Sequence, residues 1–248
     1  MIKKFLGIFV SLIALAYITY SIIMFSNVKE TEVCKKINIY KQESSNDNFI
    51  KTDDISQRLM EKGLFPLNKK LDYAKVNKIE RCLRKMNFVK RAECYRTNNG
   101  NLVVTLWQRH PILHVITEYN SYYIDQDRKR MPTSKNFTSL MPIVSGCVTE
   151  SFAKKELYDF VVFLSKDEFW NAHIDQIYVL PNKKIELVPK IGTAKVMLGT
   201  IDNYEKKMEK LSAFYKAYPE YAFGDKYETI NLEYNKLIYG TLKKTTAL

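Results

Sequence analysis

This chain has few histidines and none of the common catalytic motifs. The sequence contains three histidines, His110, His114 and His173, and it lacks the H-E-x-x-H, G-x-S-x-G and glycine-rich phosphate-binding motifs. Cys147, His173 and Asp175 could be combined into a thiol triad, but the imidazole would then have to lie about 3 Å from the sulfur. Scattered residues of this kind more often belong to unrelated strands and loops. We therefore predict that the protein is not an enzyme and that it holds no cofactor and no metal ion.

The cysteines offer a second kind of chemistry. Their number is even, which permits three complete disulfide pairings, and none of them has the C-x-x-C spacing of zinc or thioredoxin-like sites. Buried free thiols are an equally good interpretation, because cysteine is among the most buried residue types. The sequence therefore leaves open the redox state of four residues: Cys34, Cys82, Cys94 and Cys147.

The charge of the chain indicates an anionic partner. There are 39 lysines and arginines against 27 aspartates and glutamates among 248 residues, which gives a net charge of +12. The mean hydropathy of −0.28 excludes a polytopic membrane protein, so nucleic acid and an anionic membrane surface are the partners to consider. Because the basic residues occur as dispersed pairs, a solvated surface is the simplest interpretation, with lipid head groups near an anchor as the alternative.

One apolar segment decides between these partners. Residues 5–25 form an uncharged run that follows Lys3 and Lys4, and a helix of this length spans roughly 30 Å, the thickness of the hydrocarbon core of a bilayer. A cleaved signal peptide is the alternative, but the run is long for one and Ser26-Asn27-Val28 is not a small-x-small cleavage site. We predict a transmembrane anchor whose apolar and interfacial side chains include Phe5, Leu12, Leu15, Tyr20 and Phe25.

The lysines before this run predict the topology. Positive charge favours the cytoplasmic side, so residues 1–4 are predicted to be a cytoplasmic stub and the body of the protein to be exported. An exported body makes nucleic acid an improbable partner, and the membrane becomes the predicted one.

The body divides into two patterns. Residues 30–112 predict a small α+β unit, in which two helices cover one face of a three-stranded sheet. Its elements, in chain order, are a strand at 30–40, helices at 52–63 and 72–86, and strands at 89–97 and 102–108 around an Asn-Gly turn. Residues 113–242 predict a mixed, β-rich domain. Its elements are strands at 112–116, 122–125, 174–179, 184–188, 195–198, 229–234 and 237–242, with helices at 154–164 and 203–218.

Several local strings resemble the bacterial cell-division family FtsQ, called DivIB in Gram-positive organisms. Residues 87–94, 102–106 and 109–112 are similar to the passage that ends the family's POTRA domain. Tyr123-Ile124-Asp125 and residues 140–146 resemble its D-x-x-G and L-P-x-x-x-G segments, while 196–199 and 230–235 resemble two of its later strands. The chain departs from the family pattern after Asp125, where Gln126-Asp127-Arg128 replaces a glycine-containing turn.

The resemblance implies a fold and a function. The fold class is α+β, with a stub at 1–4, a transmembrane helix at 5–25, a POTRA domain at 30–112, an FtsQ-type β domain with a terminal edge strand at 113–242, and a tail at 243–248. The function is that of a single-pass inner-membrane scaffold at the division septum, with a periplasmic body that regulates septal peptidoglycan synthesis. Its partners are FtsB and FtsL homologues, with FtsK and components of the septal peptidoglycan synthase as further candidates. The alternative is a POTRA-bearing chaperone or assembly factor for exported β proteins.

The resemblance also implies where partners bind. An FtsB-type partner adds a strand to the last strand of the chain, which must therefore present unpaired backbone groups at a sheet edge. The residues assigned to this surface are Tyr234, Leu237, Ile238, Tyr239, Gly240, Thr241 and Leu242. A second docking edge is assigned to the POTRA sheet, at Val89, Arg91, Glu93 and Tyr95.

Overall fold

A computed structural model describes residues 2–26, 33–42, 49–134, 141–220, 224, 226–234 and 237–243. The chain divides into two compact units, one of residues 1–44 and 50–108 and the other of residues 45–49 and 109–248. The predicted turn at 235–236 and most of the predicted tail, 244–248, lie outside the described residues, as do the side chains of Phe5 and Phe25.

The first helix, α1, runs from Ile2 to Ser26. It begins before Phe5, so residues 2–4 of the predicted stub belong to the helix. Its apolar side chains are exposed along most of its length, as at Leu12, Leu15 and Tyr20. Within the part of the chain that is described, however, no helix combines the length and the apolar character needed to cross a membrane.

The rest of the amino-terminal unit has the predicted order of strand, helix, helix, strand and strand. The elements are β1 (Ile37–Gln42), α2 (Thr52–Glu61), α3 (Tyr73–Leu83), β2 (Val89–Arg96) and β3 (Leu102–Gln108). The described strands form a sheet in the order β1-β3-β2, with β3 parallel to β1 and antiparallel to β2. Apolar residues spaced three or four apart on the helices are buried, as are alternate residues of β3, and together they make the core: Ile55, Leu59, Val76, Ile79, Leu83, Leu102, Val104 and Leu106.

Local signals explain where the helices of this unit begin. The Asp72 carboxylate accepts the N–H of Lys75 at 2.7 Å, which caps α3 as its position before the helix predicts. The start of α2 is stabilised by a side chain from inside the helix. Lys51 is its first flanking residue, and the Asp54 carboxylate reaches back to the Lys51 N–H at 3.1 Å, as an acidic side chain in the third helical position often does.

The carboxyl-terminal unit is built on a mixed sheet of nine described strands. The strands are β4 (Pro111–Ile116), β5 (Ser121–Asp125), β6 (Arg130–Pro132), β7 (Ile143–Gly146), β8 (Ile174–Val179), β9 (Ile185–Pro189), β10 (Lys195–Gly199), β11 (Tyr227–Asn231) and β12 (Tyr239–Leu242). Their order in the sheet is β12-β11-β10-β9-β8-β7-β4-β5-β6. The pairs β4–β7, β7–β8 and β10–β11 are parallel, and the other neighbours are antiparallel.

Helices bury their apolar faces in the core of this unit. They are α4 (Glu150–Lys154), α5 (Glu156–Lys166), α6 (Glu168–His173) and α7 (Tyr204–Ala217). The core combines Leu157, Phe160 and Leu164 of α5 with Met208 and Leu211 of α7 and with inward residues of the strands. This burial fixes which face of each helix meets the sheet.

The sequence misplaced several elements of this unit. The helix predicted at 154–164 is observed as α5, but a separate short helix, α4, precedes it, and Lys155, with φ and ψ of −111° and −98°, interrupts the helical geometry between them. No glycine or proline marks this break. The short elements β6, β7 and α6 were not predicted, because three to six residues carry too little periodicity. The last two strands are shorter than predicted, so Tyr234, Leu237 and Ile238 precede or follow a strand rather than belonging to it.

The turn after Asp125 departs from the D-x-x-G pattern. Arg128 stands at the glycine position of the D-x-x-G pattern and adopts the left-handed conformation, with a φ of +58°. Its guanidinium pairs with the Asp159 carboxylate at 2.5 Å and lies 4.3 Å above the Tyr158 ring. A residue with a Cβ is disfavoured in this conformation, but the turn is closed by the Arg128 N–H, which donates to Asp125 O at 2.8 Å.

Candidate functional site

The last strand, β12, lies at an edge of the nine-stranded sheet. It pairs antiparallel with β11, bringing Tyr239 opposite Asn231 and Thr241 opposite Thr229. As far as the chain is described, β12 has β11 as its one neighbour. An edge strand of this kind presents a row of backbone groups to which another strand can add.

Two hydrogen bonds show to which side the backbone groups of β11 and β12 point. The Leu232 N–H donates to Met197 O of β10 at 2.9 Å, and the Lys243 N–H donates to Lys226 O at 3.1 Å. Neighbouring residues of a strand point their backbone groups to opposite sides. Thr241 therefore faces β11, like Lys243, while Gly240 and Leu242 direct their N–H and C=O groups to the outer side.

The side chains near this edge are largely exposed. The exposed fractions are 57% for Leu237, 50% for Tyr239 and 56% for Leu242, whereas Ile238 is partly buried against the core. Tyr234 is exposed and contacts Tyr239 edge to face, with 4.8 Å between the ring centroids. Exposed apolar and aromatic side chains beside an open strand edge are suited to a partner that brings its own apolar residues.

Gly240 is required by its neighbour on β11. The Tyr227 ring covers it so closely that a Cβ at position 240 would lie 2.4 Å from a ring carbon. Any other residue must displace this ring or lift β12 from the sheet. No local pattern in the sequence indicates this packing, because the two residues come together only through the strand pairing.

Lys210 of α7 holds the segment between β11 and β12. Its ammonium donates to three carbonyl oxygens, those of Leu232 at 3.3 Å, Tyr234 at 2.5 Å and Leu237 at 3.3 Å. Partial burial lowers the pKa of Lys210 from its ordinary value, because removing an ammonium from water disfavours its charged form. Sequence reasoning missed Lys210, since a lysine on an amphipathic helix carries no signal that distinguishes this role.

We expect Lys210→Met to loosen the terminal strand. The variant loses the ammonium that joins three carbonyl groups, and a partly exposed charged hydrogen bond of this kind contributes about 1 kcal/mol. Hydrogen exchange of the β12 amides is therefore expected to become about fivefold faster. Lys206→Met on the same helix, where the residue is exposed, is the matched control. Equal exchange in the two variants would contradict the role of Lys210.

The end of β11 is fixed by a second set of polar contacts. The Glu233 carboxylate pairs with Lys184 Nζ at 3.0 Å. The backbone N–H of Glu233 donates to Asn231 Oδ1 at 2.8 Å. The Glu233 side chain also lies against Gly199, where an added Cβ would come within 2.5 Å of it. These contacts set the direction in which the chain leaves β11 toward the terminal strand.

The predicted docking edge of the amino-terminal unit is also at a sheet edge. β2 pairs with β3 and is the last strand on its side of the described sheet. Val89 is buried, whereas Tyr95 is exposed. Arg91 forms an ion pair with Glu93, and its guanidinium lies 4.7 Å from the centroid of the Trp107 ring. The edge is therefore polar and already engaged in contacts within its own sheet.

The residues considered for a thiol triad do not assemble. Cys147 lies beside the end of β8, because its N–H donates to Val179 O at 2.8 Å, whereas His173 directly precedes the start of this strand. The length of β8, roughly 17–20 Å, separates them. His173 is buried and stacks on Phe169, with centroids 5.0 Å apart, and burial lowers its pKa. All four cysteines are free, and no metal-binding group of three or more His, Cys, Asp or Glu residues occurs in the described part of the chain.

Comparison with protein families identifies both units. Residues 110–241 match the family model described as FtsQ/DivIB, C-terminal related. This one match covers more than half of the 248 residues. The chain belongs to the FtsQ/DivIB family. Residues 32–107 match the POTRA-like domain, and none of the curated proteins matches the chain.

The matched region includes the candidate edge strand. The FtsQ/DivIB-related region ends at residue 241, so it includes nearly all of β12. The predicted resemblance to FtsQ/DivIB and the predicted POTRA fold are confirmed. Membership of this family indicates a role in bacterial cell division.

Proposed function

We propose that this chain is a non-enzymatic scaffold of the bacterial division machinery that binds a partner by strand addition to β12. One observation carries the proposal. In a member of the FtsQ/DivIB family, β12 lies at the edge of the sheet as far as the structure describes it, with Leu237, Tyr239 and Leu242 exposed beside it.

The mechanism follows from the backbone of β12. The outward N–H and C=O groups of Gly240 and Leu242 can hydrogen-bond to an incoming strand, which extends the sheet by one member. Main-chain hydrogen bonds would supply part of the affinity, and the exposed side chains would select the sequence of the partner. The contacts of Lys210 hold the preceding segment, so less conformational entropy is lost when the partner binds.

We assign the partner strand to an FtsB homologue, which would bring FtsL with it. Such a complex would link early and late division proteins and regulate septal peptidoglycan synthesis. The β2 edge of the POTRA-like unit is the proposed surface for further division proteins, with FtsK and components of the septal synthase as candidates. Its exposed Tyr95 and its ion pair between Arg91 and Glu93 support a polar docking surface.

Membrane attachment is a separate part of the proposal. It rests on the uncharged run at 5–25, which lies within the continuous helix α1, and on the exposure of apolar side chains along that helix. Lys3 and Lys4 favour a cytoplasmic amino terminus, so we propose an exported body at the inner membrane of the division septum. A reporter fused after Leu248 should then report export.

The strand-addition proposal is tested by Tyr239→Asp. We expect this variant to bind the FtsB homologue of the same organism at least tenfold more weakly in a pull-down, because a hot-spot aromatic residue is replaced by a charge. Tyr119→Asp is the matched control, since Tyr119 is 84% exposed and lies in a turn of the same unit, between β4 and β5. If a folded Tyr239→Asp variant binds as well as the control, β12 is not the binding surface.

A separate experiment distinguishes the alternative function. A chaperone or assembly factor for exported β proteins would bind many unfolded β segments, whereas a division scaffold selects one partner strand. The match of residues 110–241 to FtsQ/DivIB favours the scaffold. Depletion of the protein should therefore produce filamentous cells, an effect that the chaperone does not predict.

A further inference from the structure

A basic groove lies between the two helices of the POTRA-like unit. It has a volume of about 570 Å³ and is lined by Arg58, Lys62, Leu64, Lys78, Arg81, Cys82 and Lys85. Five of these seven residues are lysine or arginine, and none is acidic. The structure thus brings together cations that are dispersed along the sequence.

Helical spacing explains how this cluster forms. Arg58 and Lys62 are four residues apart at the end of α2, while Lys78, Arg81 and Lys85 recur at intervals of three and four along α3 and just beyond it. Residues at these intervals share one face of a helix. The two basic faces meet because the apolar residues of the same helices are buried in the core of the unit.

Nearby carboxylates neutralise little of this charge. Glu61 lies 3.7 Å from Arg58 at the exposed surface, where an ion pair is weakened by water and salt. Glu80 lies 3.9 Å from Arg84, which does not line the groove, and accepts the N–H of Cys94. The carbonyl ends of α2 and α3 favour some positive charge, but the clustered cations still repel one another. An anion in the groove would remove this repulsion.

We propose that this groove binds the head groups of anionic lipids at the membrane surface. Clusters of four to eight lysines and arginines attract anionic lipid head groups electrostatically, and each charge near the surface strengthens binding about fivefold. The lining consists of five long cationic side chains, Cys82 and a single apolar residue, Leu64. This composition fits phosphate groups better than a peptide, which would need further apolar contacts.

The position of the unit in the chain favours the lipid surface. Helix α1 ends at Ser26 and β1 begins at Ile37, so the connection between them spans at most about 40 Å. If α1 is attached to the membrane as proposed above, the groove is held within reach of the head groups. The inference rests on that attachment and not on the partner strand at β12.

Cys82 is a built-in reporter for the test, because its thiol lines the groove. Cys147, in the other unit, is exposed and serves as the internal control. Cys34 is buried, and burial raises the pKa of Cys94 to about 12, so both should react slowly with maleimide, for which the thiolate is the nucleophile.

The full chain is incubated with vesicles of phosphatidylcholine alone or of equal parts phosphatidylcholine and phosphatidylglycerol. Maleimide labelling of each cysteine is then followed by peptide mass spectrometry. We expect Cys82 to be labelled about tenfold more slowly with the anionic vesicles, while Cys147 is unchanged and added salt removes the difference.

Two triple variants make the test specific. Arg58→Gln/Lys78→Gln/Arg81→Gln should raise the concentration of anionic vesicles that half-protects Cys82 on the order of 100-fold, because each charge near an anionic surface changes affinity about fivefold. Lys51→Gln/Lys70→Gln/Lys90→Gln removes the same charge from exposed positions outside the groove and further along the chain from α1, and it should retain the protection.

Three results would overturn the proposal. They are an unchanged labelling rate of Cys82 with anionic vesicles, equal protection in both triple variants, and equal protection by glycerol phosphate, poly-glutamate or an oligonucleotide added to phosphatidylcholine vesicles. The last result would assign the groove to free phosphate, an acidic protein or nucleic acid. Co-flotation with phosphatidylcholine vesicles reports attachment through α1 separately, and the Tyr239→Asp pull-down reports the division scaffold separately.

Discussion

Replacing Leu242 by proline is expected to weaken binding of the partner strand by at least about tenfold while leaving the protein folded. The N–H of Leu242 points away from β11, because the neighbouring N–H of Lys243 donates to Lys226 O and strand residues alternate in direction. Proline removes this outward donor, and its ring hinders a strand that approaches from that side. Binding of the FtsB homologue by isothermal titration is the measurement.

Two control variants distinguish the effect of the lost N–H from the effects of a lost side chain and of a disrupted fold. Leu242→Ala keeps the outward N–H and removes only the exposed side chain, so it should lose less affinity than the proline variant. Thr241→Pro removes a donor that faces β11 and should release β12, which thermal unfolding and hydrogen exchange would detect. Proline is tolerated on an edge strand where its nitrogen faces solvent, so the melting temperature of Leu242→Pro should match that of the wild type. Full partner affinity in Leu242→Pro would exclude strand addition at this edge.

Asp125→Ala is expected to lower the free energy of unfolding of the carboxyl-terminal unit by about 3–5 kcal/mol, the usual result of removing one member of a buried ion pair. The Asp125 side chain is 1% exposed and accepts Arg109 Nε at 2.6 Å. It also accepts the N–H groups of Asp127 at 3.0 Å and Lys129 at 2.7 Å. Alanine removes all three bonds and leaves the Arg109 guanidinium without this carboxylate.

The stability of the carboxyl-terminal unit can be measured by tryptophan fluorescence, because the two tryptophans lie in different units. Trp170 is buried in the carboxyl-terminal unit, whereas Trp107 belongs to the amino-terminal one, so denaturation of a Trp107→Phe background followed by fluorescence reports the unit of interest. Asp159→Ala is the control, since its pair with Arg128 is exposed on both sides and contributes little in water. An Asp125→Ala variant as stable as the control would show that the buried pair does not stabilise the fold.

Much of the amino-terminal unit could be predicted because its signals are local. The Asn-Gly turn and the largely apolar run that follows it placed that strand at Leu102–Gln108, where it is observed. The apolar spacing of Val76, Ile79 and Leu83 predicted the buried face of α3. The strand order β1-β3-β2 depends on a parallel pairing across more than 60 residues, which no local pattern encodes.

The candidate site was predicted only in part. The sequence identified the exposed apolar residues of the last strand, since these form an apolar, proline-free run at the end of the domain. It overestimated the length of that strand, and it contained no sign of Lys210 or Tyr227. Those two residues contact the terminal segment through α7 and β11, and their positions depend on how the whole sheet is assembled.

The sequence by itself determined the types of element, the family resemblance and the uncharged run at 5–25, because periodicity, turn residues and motif order are properties of neighbouring residues. Only the tertiary structure decided that β12 lies at the sheet edge, with Gly240 beneath the Tyr227 ring. The tertiary structure also gathered Arg58, Lys62, Lys78, Arg81 and Lys85 into one groove. The free energy that brings such distant residues together comes mainly from burying the apolar core. The polar side chains on the opposite faces of the same elements are thereby brought close to one another.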